Sequence, residues 1–195
     1  MIIRVFDCIL SVIGLIFLIP LFIIISLLVE LTSSGGIFFV QERVGKDGKI
    51  FKLMKFRSMI VGKTPSSPLT IGDDKRITPL GKFLRHYKLD ELPQLFNVLR
   101  GEMSFVGPRP EVKEYVDMYT EDQRNILSVR PGMTDFASIH FFKEYELLAK
   151  SENPEETYIR EIMPRKIEMN MIFVKKPTLR NYFKIILLTI KRILI

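Results

Sequence analysis

The 195-residue sequence has one cysteine, no tryptophan and two histidines. With Cys8 alone, an intrachain disulfide is excluded, as are CxxC redox and zinc sites, and a reducing compartment fits. His86 and His140 stand apart from each other and read as structural or surface residues, and no HExxH occurs. A P-loop and a GxSxG elbow are also missing, and there is neither a repeat nor a low-complexity tract. Thiol, zinc, serine-hydrolase and P-loop chemistry therefore fall away together. What remains is a basic chain at +7, 47% apolar, with 15 Phe and 6 Tyr to pack. Its length suits one domain with a real core, and its aromatics argue against disorder.

The apolar residues concentrate at the two ends. Cys8 to Val29 reads CILSVIGLIFLIPLFIIISLLV, 22 residues without a charge. That length lets a helix cross a bilayer's hydrocarbon. The run is too long for a cleaved signal peptide, and no small-x-small site follows it. A soluble core helix so long is rarely apolar all round, so membrane insertion is the expectation. Pro20, near the centre, removes a backbone donor and crowds the carbonyl four residues earlier. The helix can then span with a kink, or dip and return. Arg4 precedes the run, and beyond Glu30 stand 28 Lys and Arg against 20 Asp and Glu. Cationic flanks on both sides favour the dip, with both ends on one anionic cytoplasmic face.

Beyond a TSSGG hinge after Leu31, residues 37–56 read as two strands around Gly45-Lys46-Asp47-Gly48, whose Asp-Gly step supplies positive φ. Residues 61–75 look like an excursion loop. Helices are expected over 80–87, 91–99, 111–127, 143–149 and 155–174. The second of these carries the stripe Leu92, Leu95, Phe96, Leu99 and stops at Gly101. "SFVGPRPEV" makes a rigid bend, because Pro108 and Pro110 both fix φ. The tail TLRNYFKIILLTIKRILI reads either as a basic amphipathic helix in the headgroup layer or as a core-packing helix.

Chemistry concentrates in "KLDELPQLF", Lys88 to Phe96. If Asp90 caps a helix, Pro93 falls in its first turn, where its missing N–H costs little. The helix dipole then keeps Asp90 and Glu91 ionised at neutral pH. The pair admits a plain capping role and a chemical one, with Asp as nucleophile or either carboxylate on Mg²⁺. Lys52, Lys55 and Arg57 cluster on the second strand, with Arg76, Arg85, Arg100, Arg109 and Arg130 beyond. Arginine matches phosphate oxygens bidentately, although a basic face beside a membrane anchor also attracts anionic lipid. A membrane-inserted chain without a groove-binding motif is not expected to take nucleic acid.

"FLRHYKLDELPQLFNVLRGEMSFVGPRPE", with "FFVQERVGKDGKIFKLMKFRSM" upstream and "VRPGMT" downstream, closely resembles the bacterial sugar transferases. These are the monotopic polyprenyl-phosphate phosphoglycosyl transferases, and the chain looks like their minimal catalytic form. The resemblance covers nearly the whole chain and includes the opening "RVFD". It implies transfer of a phosphosugar from a UDP-sugar to undecaprenyl phosphate at the cytoplasmic face of the bacterial inner membrane, releasing UMP. Asp90 would form a covalent phosphosugar intermediate that the lipid phosphate then attacks, and Glu91 would help position Mg²⁺, with Asp90 also a candidate ligand. Lys55 and Arg85 match basic positions near the phosphates, Arg57 joins them from the strand's basic cluster, and Pro108-Arg109-Pro110 matches the motif shaping the nucleotide end of the pocket.

The implied fold is α+β: a mostly helical domain over 32–195 with a small β-hairpin and a C-terminal amphipathic surface helix, anchored by a re-entrant, Pro-broken membrane helix over 1–31. Expected partners are the donor, the polyprenyl acceptor, the bilayer and downstream glycosyltransferases of surface-glycan assembly. The chain departs from the family pattern at Ile19, where Ser often precedes the helix-breaking proline, and at Asp135–Ile139, where GWAQV is frequent. The alternative from another class is a catalytically silent membrane-attached scaffold for glycosyltransferases; the retained Asp90, Glu91 and Arg109 argue against it.

Overall fold

The computed structural model describes residues 2–60, 69, 71 and 74–194; most of the loop expected over 61–75 lies outside the described residues. The chain is mostly helical with a small antiparallel hairpin, as the sequence implied. Strands β1 (Phe38–Val44) and β2 (Ile50–Phe56) pair so that Phe38 faces Phe56 and Val44 faces Ile50. Their connection is a 3₁₀ turn in which Asp47 (φ 55°) and Gly48 (φ 76°) take the positive values that the Asp-Gly step foretold. Met59 and Ile77 then form an antiparallel bridge leading into α2 (Pro79–His86), which Thr78 caps by accepting from the Gly81 N–H at 2.9 Å.

The helix expected from Glu91 starts later. Asp90 and Glu91 lie in a separate 3₁₀ turn, Leu89–Glu91, and α3 runs from Gln94 to Arg100 with Pro93 at its cap. Asp90 caps nothing, which corrects the expected geometry. Lys88, at φ 57°, reverses the chain just before the pair, and Glu91 N and Leu92 N bond back three residues. Pro93 has no N–H to extend that pattern, so the α-helix begins after it. Gly101 closes α3 at φ 83°, as expected.

Strand β3 (Ser104–Val106) pairs in parallel with β4 (Gly132–Thr134), a pairing that no periodicity announced. The backbones cross closely there. A Cβ on Gly107 would sit 2.3 Å from the Arg130 carbonyl oxygen, and one on Gly132 would sit 2.1 Å from the Gly107 nitrogen. The single helix expected over 111–127 is two, α4 (Lys113–Asp117) and α5 (Glu121–Arg124), followed by a 3₁₀ turn. Thr120 and Gln123 form a reciprocal capping box that starts a new helix mid-segment. Then follow α6 (Phe136–His140), α7 (Glu144–Ala149), α8 (Pro154–Thr157), a π-helical turn over Tyr158–Ile162, α9 (Met163–Lys175) and α10 (Leu179–Leu194).

Helix α1 (Ile2–Thr32) is continuous through Pro20, which corrects the expected break there: the missing N–H removes one bond of the ladder without ending the helix, and 31 residues give it a length of about 46 Å. Polar bonds fasten it to the rest of the chain at both ends. Near its start, Arg4 donates to the Val98 carbonyl and, at 2.7 Å, to that of Leu99, at the negative end of α3. Asp7 is fully buried; its Oδ1 accepts from Ser104 Oγ at 2.9 Å, Phe105 N at 3.1 Å and Tyr182 Oη at 2.8 Å. Midway, Phe22 packs on Phe56 and Phe96. At the far end, Ile25 and Val29 bury against Phe56 and Leu84. Arg57 Nη2 there donates to the carbonyls of Val29 and Ser33 and to Ser33 Oγ. The opposite side of α1 is a bare apolar face, with Ile9, Ile13, Ile16 and Phe17 exposed. In α10, Tyr182 and Ile185 are buried beside Ile3, Phe6 and Val106, while Leu187 and Ile190 remain exposed. One face of the tail is core and another is bare.

Asp7→Ala strands three donors, two of them buried. The expected cost is about 3 kcal/mol, lowering the thermal midpoint in detergent by roughly 5–10 °C. Tyr182→Phe removes one of the three bonds and should cost about a third as much. Equal midpoints for the two variants would show that Asp7 is not the anchor.

Candidate active site

The site is assembled from three short pieces. β2 supplies Lys55, the turn after α2 supplies Asp90 and Glu91, and the segment following β3 supplies Arg109. Asn97, fully buried on α3, fixes the first two relative to each other. Its Oδ1 accepts from the Met54 N–H at 3.1 Å, and its Nδ2 donates to the Lys52 carbonyl at 2.8 Å. Lys88 enters the left-handed region just before the acidic pair, a strained conformation of the kind that gathers at functional sites. Pro108 and Pro110 hold the chain on either side of Arg109, and the Pro108 carbonyl accepts from Gly132 N at 2.9 Å.

The two carboxylates have opposite surroundings, though both residues are buried. Glu91 Oε1 accepts from Lys55 Nζ at 2.8 Å and from Arg109 Nη2 at 2.5 Å, and Oε2 accepts from Arg109 Nη1 at 3.4 Å. Asp90 accepts no hydrogen bond from any described residue. Burial works against the charge of Glu91, but Arg109 and Lys55 outweigh it and hold that carboxyl well below its ordinary value. For Asp90 burial wins: its value is raised, with Lys55 pulling down and the Glu91 charge pushing up. The sequence reading that both acids enjoy the same charge-stabilising helix end gives way to this asymmetry. Lys55 is itself lowered, by burial first, with Glu91 opposing.

The remaining candidates divide. Arg85 is held by Ser58, its Nε donating to Oγ at 2.8 Å, and feels the charge of Asp90. Arg57 is buried and its Nη2 is committed to the end of α1, so the structure does not bring it to the acidic pair. A cavity of about 520 Å³ opens beside Glu91 and Arg109; Asp90, Lys55, Arg85, Pro108 and Pro110 are not part of its lining. Its apolar side includes Leu92, Phe105, Met133, Ile139 and Ile186, and its polar side carries Arg43, Glu111, Glu144, Tyr158 and Lys166. The sequence reading singled out none of that polar set. Only Glu111 carried a signal, standing directly after Pro-Arg-Pro.

For a divalent metal, the donors are two carboxylates, one free and one tied to two cations. Among the described residues no cluster of three or more His, Cys, Asp or Glu is assembled. That set fits Mg²⁺ held by one or two carboxylates together with substrate phosphates, and does not fit an all-protein cage or zinc.

The model of the family described as bacterial sugar transferase matches residues 1–195. The chain is 37% identical over 191 residues to UDP-glucose:undecaprenyl-phosphate glucose-1-phosphate transferase of Klebsiella pneumoniae, covering 96% of this chain and 39% of that protein. It is 40% identical over 148 residues to undecaprenyl-phosphate galactose phosphotransferase of Salmonella typhimurium, covering 67% and 31%. It is 39% identical over 139 residues to UDP-N-acetylgalactosamine-undecaprenyl-phosphate N-acetylgalactosaminephosphotransferase of Aeromonas hydrophila, covering 68% and 32%. The chain thus spans a third to two fifths of the length of these relatives.

The Glu91 ion pair should be visible in acid. Because its folded value is depressed, its stabilisation is fully present above the ordinary value near 4.5 and is lost as pH falls through the lower folded value. Unfolding midpoints taken from about pH 7 to about pH 3 should therefore fall more steeply for the wild type than for Glu91→Gln. Parallel curves would mean that the Lys55–Glu91–Arg109 bridge contributes no net stability.

Proposed function

The chain belongs to the bacterial sugar transferase family, and from that premise we propose that it moves a phosphosugar from a UDP-sugar to a polyprenyl phosphate such as undecaprenyl phosphate, releasing UMP. One observation carries the reading: among the described residues Asp90 has no hydrogen-bond or ion-pair partner, while its neighbour Glu91 is bound by both Lys55 and Arg109. A nucleophile needs an unengaged oxygen, and phosphoryl transfer needs fixed positive charge near it.

In the first step an Asp90 carboxylate oxygen attacks the sugar-bearing β-phosphorus. The bond from that phosphorus to the bridging oxygen breaks, and UMP leaves with the electron pair. In the second, an oxygen of the lipid phosphate attacks the same phosphorus, the bond to Asp90 breaks, and the carboxylate is restored. Lys55, Arg85 and Arg109 surround the acidic pair with charge that suits phosphate oxygens. Glu91 holds Lys55 and Arg109 in place. Mg²⁺, when bound, would be held by Asp90 and Glu91 with phosphate oxygens and would supply further charge neutralisation. Pro108 and Pro110 then act by fixing the backbone around Arg109 at the nucleotide end.

Residues 1–31 serve in this reading as a re-entrant anchor, with 32–195 as the catalytic domain on the cytoplasmic face of the inner membrane. Support comes from α1, whose two ends bond one and the same domain through Arg4 and Asp7 and through Val29 and Ser33. A helix crossing the bilayer would leave those ends on opposite sides. The product would start a surface glycan, with downstream glycosyltransferases as its users.

Donor incubated with wild type in the absence of acceptor should yield a sugar-phosphate adduct by intact mass, and Asp90→Asn should yield neither adduct nor UMP. UMP release by Asp90→Asn at the wild-type rate would remove the nucleophile assignment; silence of the wild type across a donor panel would leave the scaffold. For topology, Ile2→Cys and Ser34→Cys, each in a Cys8→Ser background, should react with an impermeant maleimide only from the cytoplasmic side. Periplasmic labelling of Ile2→Cys would make residues 8–29 a span.

A further inference from the structure

The polar side of the 520 Å³ cavity gathers charged side chains from a strand and several helices. Lys166, buried on α9, lies 3.0 Å from Glu144 Oε2, 3.4 Å from Tyr158 Oη and 3.8 Å from Glu111 Oε1. Tyr158 donates its hydroxyl to Glu111 Oε1. Arg43 Nη1 lies 3.6 Å from Glu111 Oε2, beyond hydrogen-bond reach, and donates instead to the Pro110 carbonyl at 3.2 Å. These bonds leave hydrogen-bonding capacity unused on the cavity side. Arg43 Nε is buried without a partner. Glu111 Oε2 and Glu144 Oε1 accept no hydrogen bond from a described residue. Arg43 Nε is the buried, unsatisfied member of the group, which is costly to leave unpaired, and the two carboxylate oxygens are half-buried acceptors on residues that line the same cavity.

We infer that Arg43, Glu111, Glu144, Tyr158 and Lys166 form the subsite for the sugar ring of the donor and determine which sugar is taken. The inference rests on the reading of the chain as a phosphosugar transferase. Two carboxylates and two cations balance, so the wall offers both donors and acceptors to a neutral ligand. Sugar hydroxyls both donate and accept. A further phosphate would meet two carboxylates, and an isoprenoid would leave buried charge unpaired. Position agrees: Arg109 meets Glu91, and Glu111 follows two residues later, at most about 7 Å along an extended chain. That step keeps the wall within about one ring's length of the phosphates, and UDP inhibition separates the sugar from the nucleotide as its occupant. Tyr158 also opens the π-helical turn Tyr158–Ile162, a rare distortion that recurs at functional sites. The relatives matched by the chain are named for glucose, galactose and N-acetylgalactosamine, so donors differ among them in the sugar.

The test uses the full chain, wild type, Glu144→Gln and Lys166→Gln, with UMP release measured across UDP-hexoses and UDP-N-acetylhexosamines and with UDP as a competitive inhibitor. Glu144→Gln keeps the shape of a partly exposed side chain and guards against a folding failure at buried Lys166. The expected result is a fall in kcat/KM of about tenfold for the preferred donor, a changed order of preference among donors, and inhibition by UDP within about twofold of wild type. Weakening of UDP inhibition in step with turnover would assign the wall to the nucleotide, and an equal loss for every donor would reduce it to a structural cluster. Unchanged turnover would overturn the inference directly. A wild type that releases UMP from no donor fails the underlying reading instead, and the subsite falls with it.

Discussion

Two neighbouring carboxylates held out of water repel each other, and the structure answers that repulsion by giving the two hydrogen-bonding cations, Lys55 and Arg109, to one of them. Glu91 takes Lys55 and Arg109, and Asp90 takes neither. Removing the two cations would leave a pair of buried charges whose easiest relief is protonation. With them in place, Glu91 is fixed by two cations, and Asp90 beside it keeps its carboxylate free of hydrogen bonds from any described residue. The lowered value at Glu91 and the raised value at Asp90 follow from the same placement of charge.

The surrounding fold serves to keep three short pieces in register. Asn97 ties α3 to β2, the close crossing at Gly107 and Gly132 fixes the segment carrying Arg109, and the left-handed Lys88 aims the turn between them. None of these devices is large. Each removes one way in which Lys55, Glu91 and Arg109 could drift apart, which matters because an ion pair in a dry setting weakens steeply when its geometry loosens.

The sequence singled out the acidic pair, Lys55, Arg85 and Arg109 because each stands in a short, dense motif, and the structure brings them near one another. Arg57 misled for a physical reason. It shares strand parity with Lys55, but β2 ends at Phe56, so alternation no longer dictates its direction and it turns to the carbonyls closing α1. The helix expected over 111–127 failed because a capping box inside an amphipathic stretch is stronger than the periodicity around it. Arg43, Glu144, Tyr158 and Lys166 come from strand and helices scattered across the chain, and only tertiary packing gathers them. The β3–β4 pairing was hidden for the same reason, since each strand is three residues long.

The bond between Asp7 and Tyr182 joins residues 175 positions apart. A ribosome makes the first helix long before it makes the last, so during synthesis Asp7 has none of its final partners. A buried carboxylate without partners is costly, and its set of three is complete only when Tyr182 joins Ser104 and Phe105. The polar bonds that fasten α1 to α10 therefore form late, by closure of the chain through Tyr182 rather than by the apolar run of α1 itself.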